Sequence, residues 1–289
     1  MPGSPRAAIS RCTSLTSPLP SHSVSDDDAV TGAFVKIRRA LEHRDALLPL
    51  IAKEREQYPH RLESRSNRGA SSDPLVKVEW RVTGLRPELP PVCSAVFADF
   101  IQNMRTALDH MAWDLIIDDS RTRNARSVYF PLVTEATKLP RLVSTLQRRY
   151  APEVAEVIAS VQPCQATDPY DHPLGRLVFL SNADKHRTVQ VIRRAQVDLG
   201  PVRVVPEPVG GVRSWVKTGA FEPEDVIATV EWERPLEAME MEVQPTFAYG
   251  EALVVGDGQA ARPVLLSEVG EQLERDVLDI FRRMYGVDS

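Results

Sequence analysis

Between residues 93 and 118 apolar side chains return every three or four positions, with Val96, Phe100, Met104, Leu108, Met111 and Leu115 on one stripe. That interval matches the turn of an α-helix, so the segment reads as an amphipathic helix with the stripe facing a core. The same spacing appears earlier in Phe34, Ile37, Leu41, Leu48 and Ile51. It predicts a first helix that Asp26 to Asp28 could cap and that ends near Tyr58. A third helical stretch is expected over 135–160. A fourth is expected over 174–192, with Leu174, Leu177, Ser181, Asp184, Thr188 and Val191 on its stripe. A last helix starts at Ser267, with Val269, Leu273, Val277, Ile280 and Met284 on one face and Gly286 placed to end it.

Alternation replaces this period elsewhere. In "VKVEWRV" at 76–82, Val76, Val78, Trp80 and Val82 alternate with Lys77, Glu79 and Arg81, which is the pattern of a half-buried strand. "SRSNRGASSDP" at 64–74 reads as a loop and "DDSRTRNARS" at 118–127 as a basic loop. "VYFPLV" at 128–133 reads as a short strand or an extended link. From 201 to 266 short β-branched runs bounded by Pro and Gly predict an antiparallel sheet of about four to six strands. The fold class expected is α+β: a helical bundle core, then a C-terminal antiparallel β-rich region and a final helix. The divisions read from the pattern are a disordered tail at 1–28, a mainly helical domain at 29–199 and a β-rich region at 200–289.

Composition narrows the functional classes. The chain has 289 residues and a formal net charge of −5, so nothing steers it as a whole toward a polyanion. Cys12, Cys93 and Cys164 are scattered and odd in number, which argues against a disulfide framework and for a reducing compartment, the cytoplasm. No apolar run approaches the roughly eighteen residues of a membrane helix, so no membrane partner is expected.

The candidate chemistry lies in two polar strings set inside helical runs, "RTALDHMAWD" at 105–114 and "LSNADKHRTV" at 180–189. On the helix over 93–118, Asn103, His110 and Asp114 share one flank, and Arg105 and Asp109 lie on the opposite one. Arg105 and Asp109 are spaced i,i+4 and can form an ion pair. His110 and Asp114 have the same spacing, so the carboxylate could orient the imidazole for acid/base work beside a cationic Arg. In the second string Asp184 lies on the apolar stripe and needs a partner there, for which Arg105 is a candidate. Asn182, Lys185, His186 and Arg187 complete that string.

A polar layer shared by two packed helices is either a site or an architectural network. His110, Asp114, Asp184 and His186 include possible metal ligands. However, there is no H-E-x-x-H and no Glu-x-x-His pair, so no metal and no cofactor is expected.

"NMRTALDH" places four residues between Arg105 and His110, and this resembles the R-x(4–6)-H signature of HEPN-domain ribonucleases. The residue after the Arg is Thr106, and the Asn stands before it at 103. The resemblance implies a helical bundle acting as a homodimer that cleaves RNA without a metal. In it Arg105 would stabilise the phosphate and His110 would transfer protons, with Asp114 and Asn103 beside them. The second string has no counterpart in that signature. Read from the residues themselves, Lys185, His186, Arg187 and Asn182 could bind substrate, through electrostatic contacts to backbone phosphates, and Asp109 and Asp184 could serve the structural network. RNA is then the partner implied, and no DNA is expected. "NMRTALDHMAWDLI", followed by "FPL" and "LSNADKHR", also resembles a group of uncharacterised bacterial proteins. The alternatives left open are a non-enzymatic binding or scaffold protein with an internal hydrogen-bond network, and a metal-dependent small-molecule enzyme.

Overall fold

The computed structural model describes residues 32–58, 61–67, 73–83, 89–117, 119–123, 125–186, 191–198, 203–205, 207–208, 210–217, 219–220, 224–234, 240–242, 246–256 and 261–287. The tail at 1–28, the Asp26 to Asp28 cap and Thr188 lie outside these residues.

Helix α1 (Gly32–Gln57) and helix α2 (Pro91–Asp114) pack along each other and supply much of one core. Ile37, Leu41 and Ile51 are buried as their spacing requires, together with Ala33, Ala40 and Leu47, while Phe34 and Leu48 keep 37% and 39% of their surface exposed. On α2 the stripe is followed closely. Phe100, Met104, Leu108 and Met111 are buried, and Val96 and Leu115 pack at its margins. Pro91 opens the helix at a position where its missing N–H costs nothing.

The segment after α2 is more broken than the pattern suggested. The expected basic loop contains a short helical turn, α3 (Ser120–Arg123), and a 3₁₀ turn at Ala125–Ser127. Residues 128–135 form neither helix nor sheet and bend at Tyr129, so the segment is a link rather than a strand. The expected helix over 135–160 is divided into a 3₁₀ turn at Ala136–Lys138, helix α4 (Leu139–Arg149) and helix α5 (Pro152–Ser160). Pro152 forces the break. It cannot donate to an i−4 carbonyl, and it holds Ala151 out of the helical region, at ψ 150°.

Helix α6 (Pro173–His186) is shorter than the expected 174–192. Val191 begins a strand instead, β3 (Val191–Asp198). The final helix, α7 (Leu266–Tyr285), matches its pattern. Val269, Leu273, Val277, Ile280 and Met284 are all buried, and Gly286 ends it at φ 64°, where a side chain would be strained. It packs against α2, α5 and α6.

Among the described residues the antiparallel strands form three sheets rather than the single one expected. A strand absent from the sequence reading, β1 (Arg61–Ser66), pairs with β2 (Leu75–Thr83), so residues 64–66 of the expected loop belong to a ladder. The remaining strands are β4 (Arg203–Val205), β5 (Val212–Val216), β6 (Gly219–Ala220), β7 (Val226–Glu233), β8 (Glu240–Glu242), β9 (Thr246–Val255) and β10 (Arg262–Leu265). The sheets run β1-β2-β7-β5, β10-β9-β3-β6 and β4-β8.

On β2 the residues alternate as read, with Val76, Val78, Trp80 and Val82 buried along with Ala228, Val230 and Trp232 of β7. Val191, Leu253, Val255 and Val264 of the second sheet instead join the helical core. Packing therefore does not follow a division at 199/200. Strands from 61–83 complete a sheet built from 212–233, and α7 returns to the helices.

Candidate functional site

The first polar string reaches the link at 128–135 through two side chains on one flank of α2. Arg105 Nη2 lies 3.1 Å from Asp109 Oδ1, so the i,i+4 ion pair forms as its spacing predicts. Both members also bind the main chain of one residue. Arg105 Nη2 donates to the Phe130 carbonyl at 2.8 Å, and the Phe130 N–H donates to Asp109 Oδ1 at 3.0 Å. A segment buried outside helix and sheet must satisfy its backbone groups with side chains, and this pair does so at Phe130, which is fully buried. Burial pulls the Arg105 guanidinium below its ordinary value, opposed by Asp109 and then by Tyr129. Its Nη1 is buried with no hydrogen-bond partner.

One residue that spacing could not reveal continues this scaffold. Gln162, fully buried after α5, accepts the Val133 N–H at 2.8 Å. It also donates to the Pro131 carbonyl at 3.0 Å and to the Ile158 carbonyl at 2.7 Å. Its carboxamide thus serves as a local substitute for a neighbouring strand.

His110 points elsewhere. A Cβ built on Gly32 would fall 2.3 Å from His110 Nδ1, so the imidazole occupies the space a side chain would take at the start of α1. The expected His110–Asp114 pair does not form. Asp114 Oδ2 instead accepts from the Tyr285 hydroxyl at 2.9 Å, and the Asp114 carbonyl accepts from Arg121. A long-range partner on α7 outcompetes an i,i+4 neighbour that is held against α1. Asn103 turns back on its own helix, donating to the Asp99 carbonyl at 2.8 Å. Arg105 and His110 are therefore engaged with different elements, the link in one case and α1 in the other.

The second string does pack near α2, but the residue that joins them is Gln102. Its Nε2 donates to the Ser181 carbonyl at 3.0 Å and to Asp184 Oδ2 at 3.1 Å. Asp184 thus finds its partner on α2, as its place on the stripe required, though that partner is Gln102 and not Arg105. Asn182 is exposed. Lys185 and His186 fall in the last turn of α6, but their side chains and all of Arg187 lie outside what the structure describes. Among the described residues no group of three or more His, Cys, Asp or Glu is arranged to hold a metal, so His110, Asp114 and Asp184 do not converge.

A second polar cluster ties α6 to α7. Arg176, almost fully buried, donates to the Tyr170 carbonyl at 2.8 Å, to Glu268 Oε1 at 3.1 Å and to Gln272 Oε1 at 2.7 Å. Just before α6, His172 Nδ1 accepts the Leu174 N–H at 3.1 Å and so caps the helix. Burial lowers the His172 pKa, Asp276 opposes that change and Arg176 adds to it. Burial also raises the Asp276 carboxyl.

Fold and site together define an α+β protein whose internal polar side chains mostly bind backbone. Compared with protein families, with curated proteins and with solved structures, the chain finds no match. No helix among the described residues is long and apolar enough to cross a membrane.

Proposed function

We propose that the chain is a non-enzymatic binding or scaffold protein and that its two polar strings are internal hydrogen-bonded architecture. The observation that carries this reading is the double contact of Arg105 and Asp109 with the Phe130 backbone. An arginine paired to a carboxylate and a carbonyl is poorly placed to receive a phosphate, and His110 lies against Gly32 rather than beside it. Acid/base catalysis would need both groups to reach one reacting atom. The cytoplasm is the compartment proposed, since Cys93 and Cys164 are both free thiols.

The test is incubation of the purified chain with mixed RNAs, with and without EDTA, beside His110→Ala. The scaffold reading expects intact RNA in every arm. Cleavage that persists in EDTA and disappears in His110→Ala would overturn it in favour of a metal-independent ribonuclease. Cleavage that EDTA abolishes would favour the metal-dependent enzyme.

A further inference from the structure

The first sheet ends on β5, whose free edge is open among the described residues. Its sequence is Val212-Arg213-Ser214-Trp215-Val216, and Arg213, Ser214 and Trp215 are all exposed, so solvent reaches both faces of the strand. Trp215 is 53% exposed, unusual for the largest apolar side chain. Neither the Arg213 nor the Trp215 side chain makes an ion pair, hydrogen bond or ring contact with any described residue.

The ladder fixes which backbone groups are free. The Lys217 N–H donates to the Ile227 carbonyl at 2.8 Å, so Lys217 belongs to a hydrogen-bonded pair with β7. Alternation along an antiparallel ladder then turns the N–H and C=O groups of Trp215 and Arg213 toward β7 and those of Val212, Ser214 and Val216 outward. Unpaired edges of this kind are usually protected by Pro, Lys or a bulge, and β5 has none of these.

We propose that β5 pairs antiparallel with β5 of a second copy about a two-fold axis at Ser214, joining two four-stranded sheets into one. The sequence is complementary to itself in that register. Ser214 faces Ser214, Val212 faces Val216, and the outward backbone groups of all three meet in hydrogen-bonded pairs. Arg213 faces Trp215 in the non-hydrogen-bonded pairs, where Cα atoms stand about 4.5 Å apart and side chains are closest. The guanidinium on one copy then lies over the indole of the other, twice by symmetry, a cation–π contact in which Arg and Trp are the favoured partners. An isologous interface of this form closes on itself and stops at a dimer.

The experiment is sedimentation equilibrium of the full chain over micromolar concentrations. Wild type should sediment at twice the 32.2 kDa chain mass. Ser214→Pro removes only an outward N–H, a position where an edge strand tolerates proline, and should be a monomer with an unchanged circular dichroism spectrum. Trp215→Ala, an exposed substitution that leaves the ladder intact, should weaken the dimer at least tenfold. A monomeric wild type, a dimer indifferent to both substitutions, or a ladder of higher oligomers would each overturn the proposal.

Discussion

The link at 128–135 and the edge strand β5 both lie outside helices, yet their backbone groups meet opposite fates. The link is buried at Val128 and Phe130, and Arg105, Asp109 and Gln162 satisfy its backbone one group at a time. β5 lies at the edge of its sheet and, among the described residues, pairs on one side alone. The contrast shows where polar side chains in this fold are already engaged and where hydrogen-bonding capacity is left over. The two conspicuous strings contribute to the first, and a five-residue strand with no charged cluster supplies the second.

The largest effect should come from Gln162→Leu, which leaves the part-buried Val133 N–H and Pro131 carbonyl without this partner and puts an apolar group in a fully buried polar position. A loss of about 3 kcal/mol in urea denaturation is expected, since each orphaned buried group costs about 1–3 kcal/mol. A loss under about 1 kcal/mol would show that the link does not depend on its side-chain partners. Next comes Arg105→Ala, expected to cost about 2 kcal/mol by the same reasoning, with Asp109 part-exposed and therefore cheaper to leave unpaired. In a double-mutant cycle Arg105→Ala and Asp109→Ala should be clearly non-additive, because both act on Phe130.

Gly32→Ala should cost about 1–2 kcal/mol, as the new methyl collides with His110, and His110→Ala in the same chain should recover most of it. Additive losses would mean that the two residues do not share that space. On the other side of the comparison, Trp215→Ala should change monomer stability by no more than about 0.5 kcal/mol.

The smallest effect concerns pH. Burial lowers the His172 pKa below its unfolded value, so the unfolded chain binds more protons between the two. Its contribution to stability is therefore complete above the unfolded pKa and declines as pH falls toward the folded one. Protonation also removes the lone pair that caps α6. His172→Asn, which can keep an acceptor at the cap, should flatten the stability profile in that window. An unchanged slope would remove His172 as its source.

What the sequence revealed depended on the kind of signal. Strict periods over long runs, as in α2, α7 and β2, matched the fold because one buried face constrains every turn. β1 was missed because "RLESRS" carries no apolar alternation. The 174–192 run misled because Val191 and Ile192 fit a helix stripe and a strand equally well. At the site, i,i+4 spacing found Arg105–Asp109 and failed for His110–Asp114, since spacing says nothing of Gly32 or Tyr285. Gln102 and Gln162 left no trace, because an uncharged amide bonding distant residues, mostly through their backbone carbonyls, has no pattern along the chain.

Amide hydrogen exchange at Phe130 tests the central claim most directly. If Arg105 and Asp109 are engaged in holding the link, the Phe130 N–H exchanges slowly in the wild-type chain and much faster in Asp109→Ala, while amides in the middle of α2 keep their protection. Fast exchange at Phe130 in the wild type, or slow exchange in both proteins, would contradict it.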